Sequence, residues 1–243
     1  VSVALIRHGS AGLTLTAGIF DVDGVLLASP HERAWREALT GIAEPAGFTT
    51  ALYQACVAGR PRLAGARAAL QALGVPDAEG KAGHYAERKQ ARLETLIKAG
   101  CVTAYPDALR FLHAVRALGW PVAAASSSKN ANGMMRRIHD GAKDTLLSIF
   151  DANVCGRDFA HGKPAPDIFL LAAAELKTLP AHCFVVEDAP AGIQAARAGG
   201  MAAIGIARHD DAAGLRSAGA NLVVGTLDDV AVEMLAQGLL CSR

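Results

Sequence analysis

In the stretch GIFDVDGVLLASPHERAW (18–35), an apolar run rises to Phe20 and meets two carboxylates, Asp21 and Asp23, with Gly24 directly after them. Carboxylates at the end of a buried strand are costly unless something pairs with them. Residues two apart on a strand point the same way, so both acids can address one ligand. Two such acids repel each other unless a cation intervenes, and hard divalent cations prefer oxygen ligands, which makes Mg²⁺ the expected ion. Three further strand ends carry polar groups. Ser126, Ser127, Ser128, Lys129 and Asn130 follow WPVAAA, combining hydroxyls, amides and a helix start in a way that suits a phosphate. Lys163 lies between Gly162 and Pro164 in GKPAPDIF, a fixed positive charge on a rigid turn. Glu187 and Asp188 close HCFVVED and can complete a metal's oxygen shell. Each piece also has an ordinary structural account. A strand-end Asp or Ser often caps the next helix, and a lysine before proline is usually solvated.

The elements that must position these groups can be read from patterning. GIFDV, WPVAAASS (120–127), HCFVVED (182–188), MAAIGIA (201–207) and NLVVG (221–225) read as buried strands. PDALRFLHAVRALG, APDIFLLAAAELK, AGIQAARAGG and DDVAVEMLAQGLL read as the helices between and after them. Continuous apolar strands separated by helices predict an α/β fold, a doubly wound parallel sheet covered on both faces, with GIFDV central. In such sheets ligands bind beyond the carboxyl ends of the strands. Residues 31–100 differ: they hold no convincing strand, and GHYAERKQARLETLIKAG reads as a long amphipathic helix. The expected organisation is an α/β core of residues 1–30 and 101–243, with an inserted α-helical cap at 31–100.

Composition narrows the function classes. The 243 residues are 51% apolar and 19% charged with a net charge of +1, so neither a nucleic-acid partner nor a membrane partner is expected. Five scattered cysteines (Cys56, Cys101, Cys155, Cys183, Cys241) form no close pair, which argues for small apolar fillers in a reducing cytoplasm rather than a metal site. VSVALIRHGSAG, at the start, lacks the basic head and long apolar core of a signal peptide and reads as a short extension before Ala17. Its Arg7-His8-Gly9 resembles the nucleophile motif of the histidine phosphatases. The next strand follows too soon for a crossover helix, and the match is short.

In order and context the four strand ends resemble the haloacid-dehalogenase superfamily, through DVDGV, Ser126, GKPAPDIF and VVEDAPAGIQAA, over nearly the whole chain from Ala17. The resemblance implies that Asp21 is a nucleophile forming an aspartyl-phosphate. Asp23 would act as general acid and base, with Lys163 and Ser126 neutralising the transferring phosphoryl group. Mg²⁺ would be held by Asp21, the Asp23 carbonyl and Asp188, with Glu187 beside it or one water away. Asp23 also sets the chain apart from the dehalogenases, which lack this aspartate, and from the ion-pumping ATPases, which carry threonine there.

Within that superfamily the cap is similar to that of the β-phosphoglucomutases. GRPRLAG places Arg60 and Arg62 at a helix start, and Arg62 matches that subfamily's phosphate-binding position. Ser128, Lys129 and Asn130, with Ser127 beside them, match the distal-phosphate side; His31 and Lys89 match cap positions tied to acid–base control and substrate sensing. LLASP is shorter than the subfamily's hinge, Ala28 stands where an acid is expected, and the segment between SKN and FDANV is longer. The resemblance therefore implies a β-phosphoglucomutase-like phosphotransferase acting on a small phosphorylated metabolite, a hexose phosphate. The alternatives are a Mg²⁺-dependent phosphatase of a sugar or polyol phosphate and a catalytically silent binding protein. A monomer is expected, with a dimer the alternative.

Overall fold

The structure is a computed structural model that describes residues 15–140, 144–209 and 211–243. Its main sheet comprises β1 (Ala17–Phe20), β2 (Val122–Ala124), β3 (Ala152–Asn153), β4 (Cys183–Glu187), β5 (Ala202–Ile206) and β6 (Leu222–Val224). The order is β6-β5-β4-β1-β2-β3, and every neighbouring pair is parallel. β1 is central, and the chain reverses direction across the sheet beside it. Phe20 is level with Ala124 on one side and Val186 on the other, so the residues that follow each of these strands emerge at one edge. That edge is where a ligand crevice forms in an open parallel sheet.

Among the described residues the α-helices that accompany the sheet are α1 (His31–Ala38), α2 (Thr50–Cys56), α3 (Arg62–Ala72), α4 (Ala78–Lys98), α5 (Pro106–Ala117), α6 (Ala131–Met135), α7 (Asp167–Glu175), α8 (Pro190–Ala198), α9 (Ala212–Ser217) and α10 (Val232–Leu235). Alternation along the strands feeds two separate cores. Ile19, Cys183 and Val185 join α7 and α8 on one face, while Phe20, Phe184 and Val186 join α5 on the other. Phe20 meets Phe111 and Phe184 edge-on, with ring centroids 6.0 Å apart in each pair. A phenylalanine buried in this way contributes about 1.5–3 kcal/mol relative to an exposed one.

Helices α1–α4 have a core of their own, built on Trp35, Phe48, Leu70 and Tyr85. The 21-residue α4 starts at an Asp77 cap, whose carboxylate accepts from the Gly80 amide, and carries Lys98 in its last turn, complementing the helix dipole. Its final turns do not stay in that core: Leu93, Leu96 and Ile97 pack into the Phe20 cluster under the sheet. The two chain crossings between these bodies, Leu27–Ala28 and Thr103–Ala104, pair with each other as a short antiparallel ribbon. Ala28 pairs with Thr103 there, so the residue standing in the expected acid's place has a backbone role.

Two features depart from the sequence reading. DDVAVEMLAQGLL does not form one helix but a 3₁₀ turn at Leu227–Asp229 followed by the short α10. Tertiary bonds claim the amides that a continuous helix would use. The Leu227 amide donates to Asp107 at 2.8 Å, the Ala231 amide to the Cys241 carbonyl at 3.0 Å, and Val230 bridges to Ser242. The long segment before FDANV holds α6, a small ribbon of His139–Asp140 with Asp144–Thr145, and a 3₁₀ turn. Cys155 and Cys183 are buried as expected, whereas Cys101 is exposed. Arg7-His8-Gly9 and the rest of the extension before Leu15 lie outside the described residues. Among the described residues no helix is long and apolar enough to cross a membrane.

Candidate active site

Asp21 follows directly on β1, its amide donating to the Val186 carbonyl at 3.0 Å. That bond sets its carboxylate beside the end of β4, where Glu187 and Asp188 emerge. Oxygens of Asp21, Glu187 and Asp188 lie within 4.8 Å of one another, all three residues buried. Two glycines make the room. Gly24 adopts φ +80°, and a Cβ there would fall 1.9 Å from an Asp188 carboxylate oxygen; a Cβ at Gly192 would fall 1.9 Å from Glu187 Oε1. Glycine at these points is therefore a condition for the acids to occupy their places.

Lys163, just ahead of α7, reaches back into this cluster with a fully buried side chain. Its Nζ donates to Asp21 Oδ1 at 2.6 Å and to Glu187 Oε1 at 2.5 Å, and lies 4.8 Å from the centre of the Phe169 ring. Glu187 Oε2 accepts from the Asp188 and Ala189 amides, both at 3.0 Å. Both oxygens of Glu187 are thus engaged, and the residue sits behind Lys163 rather than on the cavity wall. Burial raises the Asp21 carboxyl to about 8, with Lys163 pulling it down and Glu187 and Asp23 pushing it up. Asp188 is raised well above the carboxylate range by burial and by the charges of Glu187 and Asp21. Three buried acids facing one ammonium are short of positive charge. All their atoms are hard oxygens, so the residues fit a divalent cation such as Mg²⁺.

Asp23 points elsewhere. Its Oδ2 accepts from Ser126 Oγ at 3.4 Å, and its buried Oδ1 has no hydrogen bond but lies 3.5 Å from His31 Nε2. His31, the first residue of α1, is 3.1 Å from Lys89 Nζ through Nδ1, and Lys89 lies over the Trp35 ring. Asp23, His31 and Lys89 therefore form a row from the sheet edge into the helical block. Burial lowers His31 to about 4, against Asp23 and with Lys89 and Arg62. Burial likewise brings Lys89 down to about 7, opposed by Asp23. Ser128 Oγ lies 3.4 Å from His31 Nε2.

Asp21, Asp23, Ser126, Lys163 and Asp188 line one cavity of about 190 Å³ together with His31, Arg62, Lys89 and the Ser127–Asn130 segment. Arg60 and Arg62 face it from the start of α3, and among the described residues neither guanidinium has a carboxylate partner. Other expected anion ligands do have partners. Lys129 pairs with Asp158 at 2.8 Å, and Ser127 Oγ donates to the Gly59 carbonyl at 3.3 Å. Asn130 exchanges two amide hydrogen bonds with Gln90 of α4, at 3.0 and 3.1 Å. These last two contacts hold the helical block against the sheet edge. Tyr53, Phe159 and Arg157 also line the cavity, and the sequence reading did not single them out. Tyr53 lies on a short helix with no motif around it, and the other two lie in a loop whose only local signal is its nearness to GKPAP.

The model of the haloacid dehalogenase-like hydrolases matches residues 16–200. The chain belongs to that family, and its relatives are enzymes. It is 34% identical over 239 residues to the β-phosphoglucomutase of Mycobacterium bovis, covering 88% of this chain and 90% of that one. It is also 34% identical over 196 residues to the fructose-1-phosphate phosphatase YqaB of Escherichia coli, covering 77% of this chain and 94% of the other. Among solved structures, an archaeal β-phosphoglucomutase from Pyrococcus sp. strain ST 04 superimposes with a TM-score of 0.72 at 33% identity, covering 90% of this chain and 96% of that one.

Proposed function

We propose that the protein transfers a phosphoryl group through Asp21 on a small phosphorylated metabolite, a hexose phosphate, in the manner of a β-phosphoglucomutase. The observation that carries this reading is the Asp21 carboxylate, buried at the sheet's crevice, bonded to Lys163 and open to the cavity. An Asp21 oxygen forms the new bond to phosphorus as the ester P–O bond breaks, and Asp23 gives the proton that the leaving oxygen needs. The acceptor oxygen then bonds to phosphorus as the Asp21 acyl-phosphate bond breaks, and Asp23 takes the proton from that acceptor hydroxyl. Its free Oδ1, facing neutral His31, suits that exchange. Lys163 and Ser126 face the charge that builds on the phosphoryl oxygens. Magnesium would be held by Asp21, Asp188 and the Asp23 carbonyl, with Glu187 behind them on Lys163, and would supply the positive charge that lets a carboxylate approach an anionic phosphate. Residues 31–100 serve as a cap that shuts over the site, hinged at the Leu27–Ala28 and Thr103–Ala104 ribbon. The unpaired Arg62 offers a second phosphate a place across the cavity.

β-Glucose 1-phosphate with a trace of glucose 1,6-bisphosphate and Mg²⁺ is the test, following both products. Glucose 6-phosphate is the expected product. Stoichiometric inorganic phosphate without it would instead establish the second reading, a phosphatase of a sugar or polyol phosphate. One observation favours that second reading: Lys129 and Asn130, expected at the distal phosphate, are held by Asp158 and Gln90. Arg62→Ala separates the two. Losing one charge-assisted contact to a distal phosphate lowers mutase kcat/KM by about a hundredfold. Phosphatase turnover of a monophosphate that never reaches Arg62 falls by less than about tenfold in the same variant.

A further inference from the structure

We propose that Tyr53 recognises the organic half of the substrate, its hydroxyl bonding a hydroxyl of the sugar and so setting a preference for polyol phosphates over other phosphomonoesters. The proposal rests on the phosphoryl-transfer reading of the same cavity. Tyr53 lies on α2, opposite the strand ends, and lines the cavity shared by Asp21, Asp23 and Asp188. Its hydroxyl makes no hydrogen bond among the described residues. A phenol turned into a polar cavity without a protein partner is a group awaiting one.

The surroundings select that partner's chemistry. Burial and the charges of Asp188, Asp23, Glu32 and Asp21 hold the phenol in its neutral form. A neutral hydroxyl both donates and accepts, which matches an alcohol. A phosphoryl oxygen is better served by the ammonium of Lys163 on the same cavity. The ring is also fixed before any ligand arrives. It packs on Phe48 at 6.2 Å; Thr49 caps α2 by accepting from the Leu52 amide at 3.2 Å, and Thr50 Oγ1 donates to Glu32 of α1 at 2.9 Å. A preplaced partner loses little freedom on binding.

Tyr53→Phe removes one oxygen and keeps the ring packing. Specificity constants are measured for a hexose phosphate and for p-nitrophenyl phosphate, which has no alcohol hydroxyls. The ratio between them is expected to fall about tenfold, the effect of one lost hydrogen bond in a closed site. A series of monodeoxyhexose phosphates locates the contact: one deoxy position costs the parent enzyme about that same factor and costs Tyr53→Phe nothing further. A ratio within about twofold of the parent's, or deoxy penalties identical in both proteins, overturns the proposal. If the parent enzyme turned over neither ester, the phosphoryl-transfer reading and the proposal would fall together, an outcome distinct from a Tyr53 failure alone.

Discussion

Asp21→Asn lowers turnover of every phosphomonoester by at least about a thousandfold and leaves the protein folded. The amide cannot form the acyl phosphate, and nothing else among the cavity's carboxylates replaces it. Asp23 is turned toward His31 and Ser126, Glu187 is closed off by Lys163 and two amides, and Asp188 lies against Gly24. The fold should survive because an amide of the same shape replaces a carboxyl that burial already drives toward its neutral form. Asp21 is held near pKa 8 by burial, against an ordinary value of 3.8. A carboxyl so raised keeps a proton that the unfolded chain has already lost. Its contribution to stability is therefore full below about pH 4 and is lost as pH rises through about 8. Without metal, the parent protein's melting temperature should fall across that window, and the Asn variant's should fall less. Mg²⁺ should raise the melting temperature of the parent more than that of the variant. Substantial residual turnover in Asp21→Asn would refute the nucleophile; an identical Mg²⁺ shift in both proteins would remove Asp21 from the metal site.

The parts legible in the sequence were those with a local signature. Asp21, Lys163 and the Glu187-Asp188 pair each end or follow an apolar run, and a parallel sheet brings its carboxyl ends to one edge whatever the loops do. Hence the central strand, the sheet class and the gathering of distant acids could be read from spacing. What was not legible depends on partners far along the chain. β3 is only Ala152–Asn153, an edge strand with no apolar run of its own, defined by pairing with β2. The C-terminal helix was lost to amide bonds donated to the Asp107 carboxylate and the Cys241 carbonyl, hidden from any window of neighbouring residues. Lys129 and Asn130 bear the right side chains in the right motif, yet Asp158 and Gln90 hold them, and pairing of that kind leaves no mark on local sequence. Tyr53 has no signal at all, since a tyrosine on a short helix looks the same whether it fills a core or faces a ligand.

Lys163→Met should do the opposite to the cluster's balance, with the largest loss of stability among these variants. The methionine keeps most of the buried stem and its contact with Phe169, so what is removed is the ammonium and its two bonds. Burial works against a charged Lys163, but Asp21 and Glu187 overcome it and push its pKa above the usual lysine value. A lysine so raised keeps its stabilising effect at neutrality and loses it as pH rises into strong alkali. Removing one partner of a buried pair costs about 3–5 kcal/mol, because the other charge is left without compensation. For a chain of this size that is a fall of about 10 °C in melting temperature. Turnover should also fall by about a hundredfold or more, as expected for a lost electrostatic donor in a closed site. The deficit in stability should shrink in acid, where the carboxyls are protonated in both states. The sharper measurement is the double variant Asp21→Asn with Lys163→Met, which removes the carboxylate that the lost ammonium had balanced. Relative to Lys163→Met alone it should gain more stability than Asp21→Asn gives the parent, and that excess is the coupling energy. Strictly additive losses would mean that lysine and aspartate do not sense each other in solution, and the charge balance proposed for the site would be wrong.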